Sequence, residues 1–259
     1  MEITTINCKI ITPILMHGEN TAIAELRPPA IKGAMRFWWR AIHVNLSLKD
    51  LKEQESILFG GAGDGNAIRS SFRIKLLKKH LITTQVNPLP HRQNSQFKIN
   101  GYQENQNFVL EFIGKDVKKI EKIFELTTIL GGFGQRSRRG FGSVEINNQN
   151  SITVEYIQNL IQEINQNSQN NSNNNYPYIR TIDLGRDYSD MKSLIRTIST
   201  ATHNHNGDGM FGSVNGRYAS PVYISIIKNA HNYQPIITTL NATKTIDDDR
   251  LQEFKEAIL

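Results

Sequence analysis

The sequence predicts an α+β fold made of two successive units, and three observations carry that expectation. Short β-branched runs and amphipathic helical segments alternate through the first half in the order strand, helix, strand, strand, helix, strand. A weaker strand and helix pattern restarts after about residue 150. Glycine clusters fall between the periodic segments instead of inside them, as turns require.

In chain order, Ile3 to Leu15 alternates loosely and is β-branched, which predicts a first strand, with Pro13 marking its end or a bulge at a sheet edge. A loop begins at His17-Gly18 and runs to Pro28-Pro29, where two prolines suit a helix entry. Ala30 to Asn45 reads as that helix, with Ala30, Ala34, Phe37, Trp38 and Ala41 on one side and Lys32, Arg36, Trp39, Arg40 and His43 on the other. Phe59 to Gly65 is a glycine-rich turn region, and Ser70 to Leu77 and Phe108 to Ile113 read as strands. Asp116 caps a second helix striped by Val117, Ile120, Phe124 and Thr127, which Gly131 stops. Phe141 to Ile146 closes the set as another strand, giving residues 1–150 the βαββαβ order of a ferredoxin-like or RRM-like unit with an antiparallel sheet and packed helices. In residues 151–259, Tyr178 to Leu184 and Pro221 to Ile227 read as strands. Met191, Leu194, Ile195 and Ile198 mark one helix, and Leu251, Phe254 and Ile258 mark a closing one.

The 259 residues carry a formal net charge of +6, which favours a polyanionic partner, although where that charge sits matters more than its total. The single cysteine, Cys8, excludes an intramolecular disulfide and falls in the apolar-rich stretch Ile6 to Leu15, as a small buried residue would. No apolar run approaches the length of a membrane-spanning helix, and the N-terminus lacks a basic segment followed by an apolar core. A cytoplasmic protein without a membrane partner is the expectation. The unbroken Asn, Gln and Ser run from Asn165 to Asn175 reads as a loop.

The segment with most chemistry is GGFGQRSRRGFG, Gly131 to Gly142. Its five glycines let the main chain approach a ligand closely, and Arg136, Arg138 and Arg139 supply forked donors suited to phosphate oxygens. The plainer alternative is a turn whose charges are only solvated. A dinucleotide site or P-loop is excluded, because the loop precedes a strand and no Gly-Lys-Ser/Thr occurs. Lys32, Arg36 and Arg40 could extend a phosphate track along the first helix, with Trp39 either stacking on an unpaired base, facing a partner subunit, or buried under a loop. His203-Asn204-His205-Asn206-Gly207-Asp208 offers two histidines and an aspartate without a further clear ligand, a weak metal site. No metal or other cofactor is expected.

Arg27 to Arg40 (RPPAIKGAMRFWWR), followed in order by Phe59-Gly60-Gly61, Ser70-Ser71-Phe72 and Gly131 to Gly142, resembles the first Cmr subunits of type III-B CRISPR effectors. The glycine loop alone is similar to the wider RAMP group, and Arg217-Tyr218-Ala219-Ser220-Pro221-Val222 resembles the family motif that introduces a late strand. The resemblance implies two RRM-like domains and membership of a crRNA-guided complex of several subunits that defends against invading nucleic acid. It also implies a place distal to the crRNA 5′ tag, where the subunit helps hold crRNA and target RNA while another subunit slices the target. On this reading Lys32, Arg36, Trp39, Arg40, Arg136, Arg138, Arg139, His17 and Arg217 contact RNA, and no residue is catalytic. The alternative is a metal-independent RAMP endoribonuclease that processes crRNA precursors with a general base and a general acid, for which His17, His43 and His91 are the first-half histidines.

Overall fold

A computed structural model of the chain describes residues 1–259 except 63–66, 78–79, 93–94, 147–150, 166–175, 206–210, 213–218 and 242–246. The first unit is built on a four-stranded antiparallel sheet. Its strands are β1 (Glu2–Ile10), β4 (Phe72–Leu77), β7 (Asn107–Gly114) and β8 (Val144–Ile146), in the order β4-β7-β1-β8. Helix α1 (Pro28–Ile42) follows β1, and α3 (Val117–Leu130) joins β7 to β8. This is the ferredoxin-like arrangement expected from the sequence. Along β1, alternate residues Ile6, Cys8 and Ile10 are buried, and opposite them β7 presents Leu110 and Phe108 in register with Ile6 and Cys8. Burial pushes the Cys8 thiol up to about 12, so it behaves as a packed apolar group.

Three insertions decorate this unit: α2 (Leu48–Phe59), the small hairpin β2 (Gly61–Ala62) with β3 (Ala67–Ile68), and the hairpin β5 (Thr83–Val86) with β6 (Ile99–Tyr102). The second unit comprises β9 (Ile179–Leu184), α5 (Met191–Asn204), β10 (Val222–Asn229), β11 (Asn232–Leu240) and α6 (Asp248–Glu256), preceded by α4 (Val154–Ile164). Its antiparallel sheet runs β10-β11-β9, the same pattern as the first unit with the position of the fourth strand unfilled among the described residues.

The two sheets share their interior. Val222, Ile224 and Ile226 of β10 pack with α5 and α6, whereas the alternating Tyr223 and Ile227 pack with α1 and α3. A strand covered on both faces has no polar face to show, which is why β10 is nearly continuous apolar sequence. Helix α3 is buried almost all round for the same reason, since it touches α1, α4, β1, β7 and β10.

The expected elements are therefore present with shifted ends. The first strand stops at Ile10, and Ile14, Leu15 and His17 form only isolated bridges. Phe141 and Gly142 belong to a turn, so the last strand of the first unit is shorter than its apolar sequence implied. The buried face of α1 is Ile31, Met35, Trp38, Trp39, Ala41 and Ile42, about one residue in phase from the expected face, and Ala30 is exposed. Of the Asn-rich run only Asn165 lies within the described residues; its amide donates to the Ile42 carbonyl at 2.8 Å.

Candidate nucleic-acid interface

Helix α3 runs into the arginine–glycine loop without a break, and the loop's path is set by main-chain pairing. Gln135 N–H donates to the Leu15 carbonyl at 2.7 Å, Phe133 N–H to Gly142 at 2.9 Å and Gly142 N–H to Pro13 at 2.9 Å. Two of the glycines are required by this path. At Gly142 φ is +72°, and a Cβ would lie 2.0 Å from the Phe133 carbonyl oxygen; at Gly134 φ is +92°, and a Cβ would lie 2.5 Å from that of Leu15. Arg136 itself takes a left-handed conformation with φ of 60°, and Ser137–Arg139 form one turn of 3-10 helix. Gly140 N–H then donates to Ile224 of β10 at 2.8 Å, which ties the loop to the second unit.

The three arginines have different roles. Arg139 is a strut: its guanidinium donates to the carbonyls of Arg138 (2.8 Å), Val222 (3.0 Å) and Phe211 (2.7 Å). Desolvation, and then repulsion from Arg138 and Arg136, lowers its pKa to about 10, so it stays cationic at neutral pH with carbonyls for partners. Arg138 lies over the Tyr223 ring, 4.6 Å from its centre. Arg136 is exposed, and its guanidinium makes no hydrogen bond or ion pair with a described residue; its carbonyl accepts from Arg139 N–H at 2.8 Å. Together with Gly134, Phe211, Ser220 and Tyr223 the arginines line a cavity of about 400 Å³. Among the described residues no carboxylate contributes to that lining, which concentrates positive charge suited to an anion. Tyr223 was not singled out from the sequence; its place in an apolar strand concealed that it faces back toward the loop.

Helix α1 does not present the expected basic track. Trp39 is 2% exposed, against Phe59 of α2 and the His43 ring, so base stacking by Trp39 is ruled out in this conformation and its burial alternative holds, under a helix instead of a loop. Arg36 and Arg40 both pair with Glu55 of α2, at 3.3 and 2.5 Å, and Arg36 also donates to the Gly60 carbonyl. Lys32 donates to Ser70 Oγ at 2.5 Å and the Phe72 carbonyl at 2.6 Å, and burial followed by repulsion from Arg36 brings its pKa down to about 8. These cations are engaged with the chain itself, which corrects the picture of a free phosphate-binding face.

His17 is partly buried and does not line the arginine cavity; its Nε2–H donates to the Asn100 carbonyl at 2.7 Å, and Nδ1 is buried without a partner. His43 is 3% exposed, donates from Nδ1 to the Trp39 carbonyl at 2.5 Å, and is held by desolvation at about pKa 4. His91 lies 2.7 Å from Ser199 Oγ and stacks on His203 at 4.7 Å between ring centres. His203 is in the last turn of α5, not in a loop, while His205 packs edge-on to Phe254, so the two rings face different neighbours. Asp208 and Arg217 lie outside the described residues, and among those described no group of three or more His, Cys, Asp or Glu side chains gathers as metal ligands. No helix among them is long and apolar enough to cross a membrane.

The model of the RAMP superfamily matches residues 7–145, from the middle of β1 into β8, with the arginine loop inside the match. The chain belongs to the RAMP superfamily. This RAMP protein is 25% identical over 169 residues to the CRISPR system Cmr subunit Cmr1-2 of Pyrococcus furiosus, a match covering 52% of the chain and 90% of that relative. It is 29% identical over 159 residues to Cmr1-1 of the same organism, covering 51% of the chain and 43% of that longer relative. In fold it is similar to the crystal structure of Cmr1 from Pyrococcus furiosus, with a TM-score of 0.65 at 17% identity over 100% of this chain and 97% of the other. A chain in the cryo-EM structure of the type III-B Cmr-beta bound to cognate target RNA aligns with a TM-score of 0.60 at 11% identity, over 99% of both chains. Both likenesses run through the two ferredoxin-like units.

Proposed function

We propose that the chain is a non-catalytic, RNA-binding subunit of a type III-B CRISPR ribonucleoprotein, holding crRNA or target RNA through the arginine cavity, with other Cmr-type subunits as its protein partners. The observation that carries this reading is the cavity of Arg136, Arg138 and Arg139, which no carboxylate among the described residues lines. Main-chain bonds to both units fix the path of its rim, so little backbone reordering accompanies contact with a phosphodiester. Similarity to the Cmr1 subunits supports the assembly, and in this reading the boundary between the two units falls near residue 150.

Arg136 and Arg138 are the contacting residues and Arg139 positions them. Lys32, Arg36 and Arg40 contribute at most long-range attraction while Glu55 holds two of them. Replacing Arg136 and Arg138 together with alanine is expected to weaken single-stranded RNA binding at least about tenfold at low salt. It should also reduce the slope of log affinity against log salt by roughly 1.4, about 0.7 for each phosphate no longer neutralised. Fluorescence anisotropy over a salt series measures both; an unchanged dissociation constant would remove the cavity from the RNA path.

A further inference from the structure

A second cavity, of about 500 Å³, opens between the hairpin β5–β6 and helix α5. Its floor is apolar: Val86, Phe141, Met191 and Ile195 belong to one buried cluster. Its rim is not. Gln103, Glu104, Lys192 and Arg196 line the cleft, and none of these four side chains makes a hydrogen bond or ion pair with a described residue. Lys192 and Arg196 are one helical turn apart at exposed positions on α5. The volume falls within the roughly 300–1,000 Å³ of small-molecule sites.

A ligand that meets all these features has a flat apolar body, an edge of hydrogen-bond donors and acceptors, and an anionic group. We propose that the cleft takes one nucleotide unit, its base against the apolar floor, its edge toward Gln103 and Glu104, and its phosphate at Lys192 and Arg196. The same chemistry is offered by a free nucleoside monophosphate and by a single residue of an RNA strand; the second source rests on the RNA-binding reading above. A carboxylate accepts from an exocyclic amino group and an amide both accepts and donates, so the pair favours amino-bearing bases such as cytosine over uracil.

The test uses the full chain and two ligands, CMP and UMP, in equilibrium dialysis at low salt, beside fluorescence anisotropy with a labelled oligocytidine. Thr84, half-buried on the hairpin wall, allows the cleft to be filled without changing charge, as Thr84→Trp. This variant and the double reversal Lys192→Glu with Arg196→Glu are each expected to lower CMP retention at least tenfold. Glu104→Gln should bring CMP and UMP to equal retention. Circular dichroism and thermal melting establish that each variant is folded, and Glu104→Gln, whose loss of the CMP-over-UMP preference long-range attraction would not produce, stands in if Thr84→Trp is not. Loss of oligocytidine binding by Thr84→Trp without CMP retention by wild type assigns the cleft to a residue of an RNA strand; CMP retention that Thr84→Trp abolishes, with oligocytidine binding unchanged, assigns it to free nucleotide. An effect of the charge reversal without one of a folded Thr84→Trp means long-range attraction only and overturns the proposal, as does retention of neither ligand with unchanged oligocytidine binding.

Discussion

Arg139 and Arg136 stand three residues apart in one loop, yet one is part of the framework and the other of the surface. Arg139 donates to carbonyls of its own loop, of β10 and of Phe211, and a truncated side chain would leave acceptors in the interior without partners. Because hydrogen bonds to a charged group contribute about 1.5–3 kcal/mol each and share one guanidinium here, Arg139→Ala is expected to destabilise the fold by about 2–4 kcal/mol. Arg136→Ala should stay within about 0.5 kcal/mol of wild type, as surface substitutions do, while weakening RNA binding. Urea denaturation of both variants beside RNA titration separates the two roles. His43 gives the residue scale a pH signature. Its folded pKa, about 4, lies below the ordinary histidine value of 6.5, so the unfolded chain takes up the proton first. The stability it contributes is complete above about pH 6.5 and is lost as pH falls toward 4, with an upper limit of about 3 kcal/mol from the size of the shift. A His43→Gln variant, measured by thermal melting from pH 7 to pH 4, is expected to show a shallower loss of stability than wild type; parallel curves would refute the assignment.

At the scale of elements, α2 explains most of what the sequence concealed about α1. Leu48 to Phe59 has a charged, weakly patterned sequence, and only Leu51 and Phe59 of the helix are buried. A helix with so little apolar surface leaves almost no periodic trace. Yet it covers Trp39 through Phe59 and pairs both Arg36 and Arg40 with the one carboxylate of Glu55, which turned an expected RNA-facing helix into a core helix. The stripe of α3 and the cap at Asp116 were legible, because cap chemistry and apolar period are local. Strand β11 carries Pro235 and a half-polar start, and α4 adjoins the Asn-rich run, so neither stood out before its packing partners were known. In the candidate site, the glycines and arginines were readable from spacing, but Tyr223 and the strut role of Arg139 depend on β10 arriving from more than eighty residues away. The pairing of Glu55 makes a prediction at this scale. Glu55→Gln should cost about 0.4–2 kcal/mol, since it removes two partly exposed ion pairs of about 0.2–1 kcal/mol each. It should also strengthen low-salt binding of RNA of any sequence by freeing the Arg36 and Arg40 charges. Unchanged affinity in a filter-binding series would show that the α1 face is remote from the RNA.

Across the whole molecule, the candidate site belongs to neither unit alone. Its arginines come from the first sheet's final connection, whereas Phe211, Ser220 and Tyr223 come from the second unit. The two are sewn together at this point: Gly140 N–H meets Ile224, Ile226 N–H meets Ser143 Oγ at 3.0 Å, and the Ser225 hydroxyl donates to the Ile129 carbonyl at 2.5 Å. These bonds lie inside a core in which alternate residues of β10 serve opposite sides. Removing the second unit would expose the apolar faces of α1 and α3 and leave the arginine loop without the strand that anchors it. Residues 1–150 expressed alone are therefore expected to bind RNA at least about tenfold more weakly than the full chain, despite retaining Arg136, Arg138 and Arg139. The full chain should melt in one cooperative calorimetric transition, because opening either unit uncovers the other's core. Two separate transitions, or a 1–150 fragment that melts sharply and binds RNA as the full chain does, would show instead that the loop takes its binding shape from the first unit by itself.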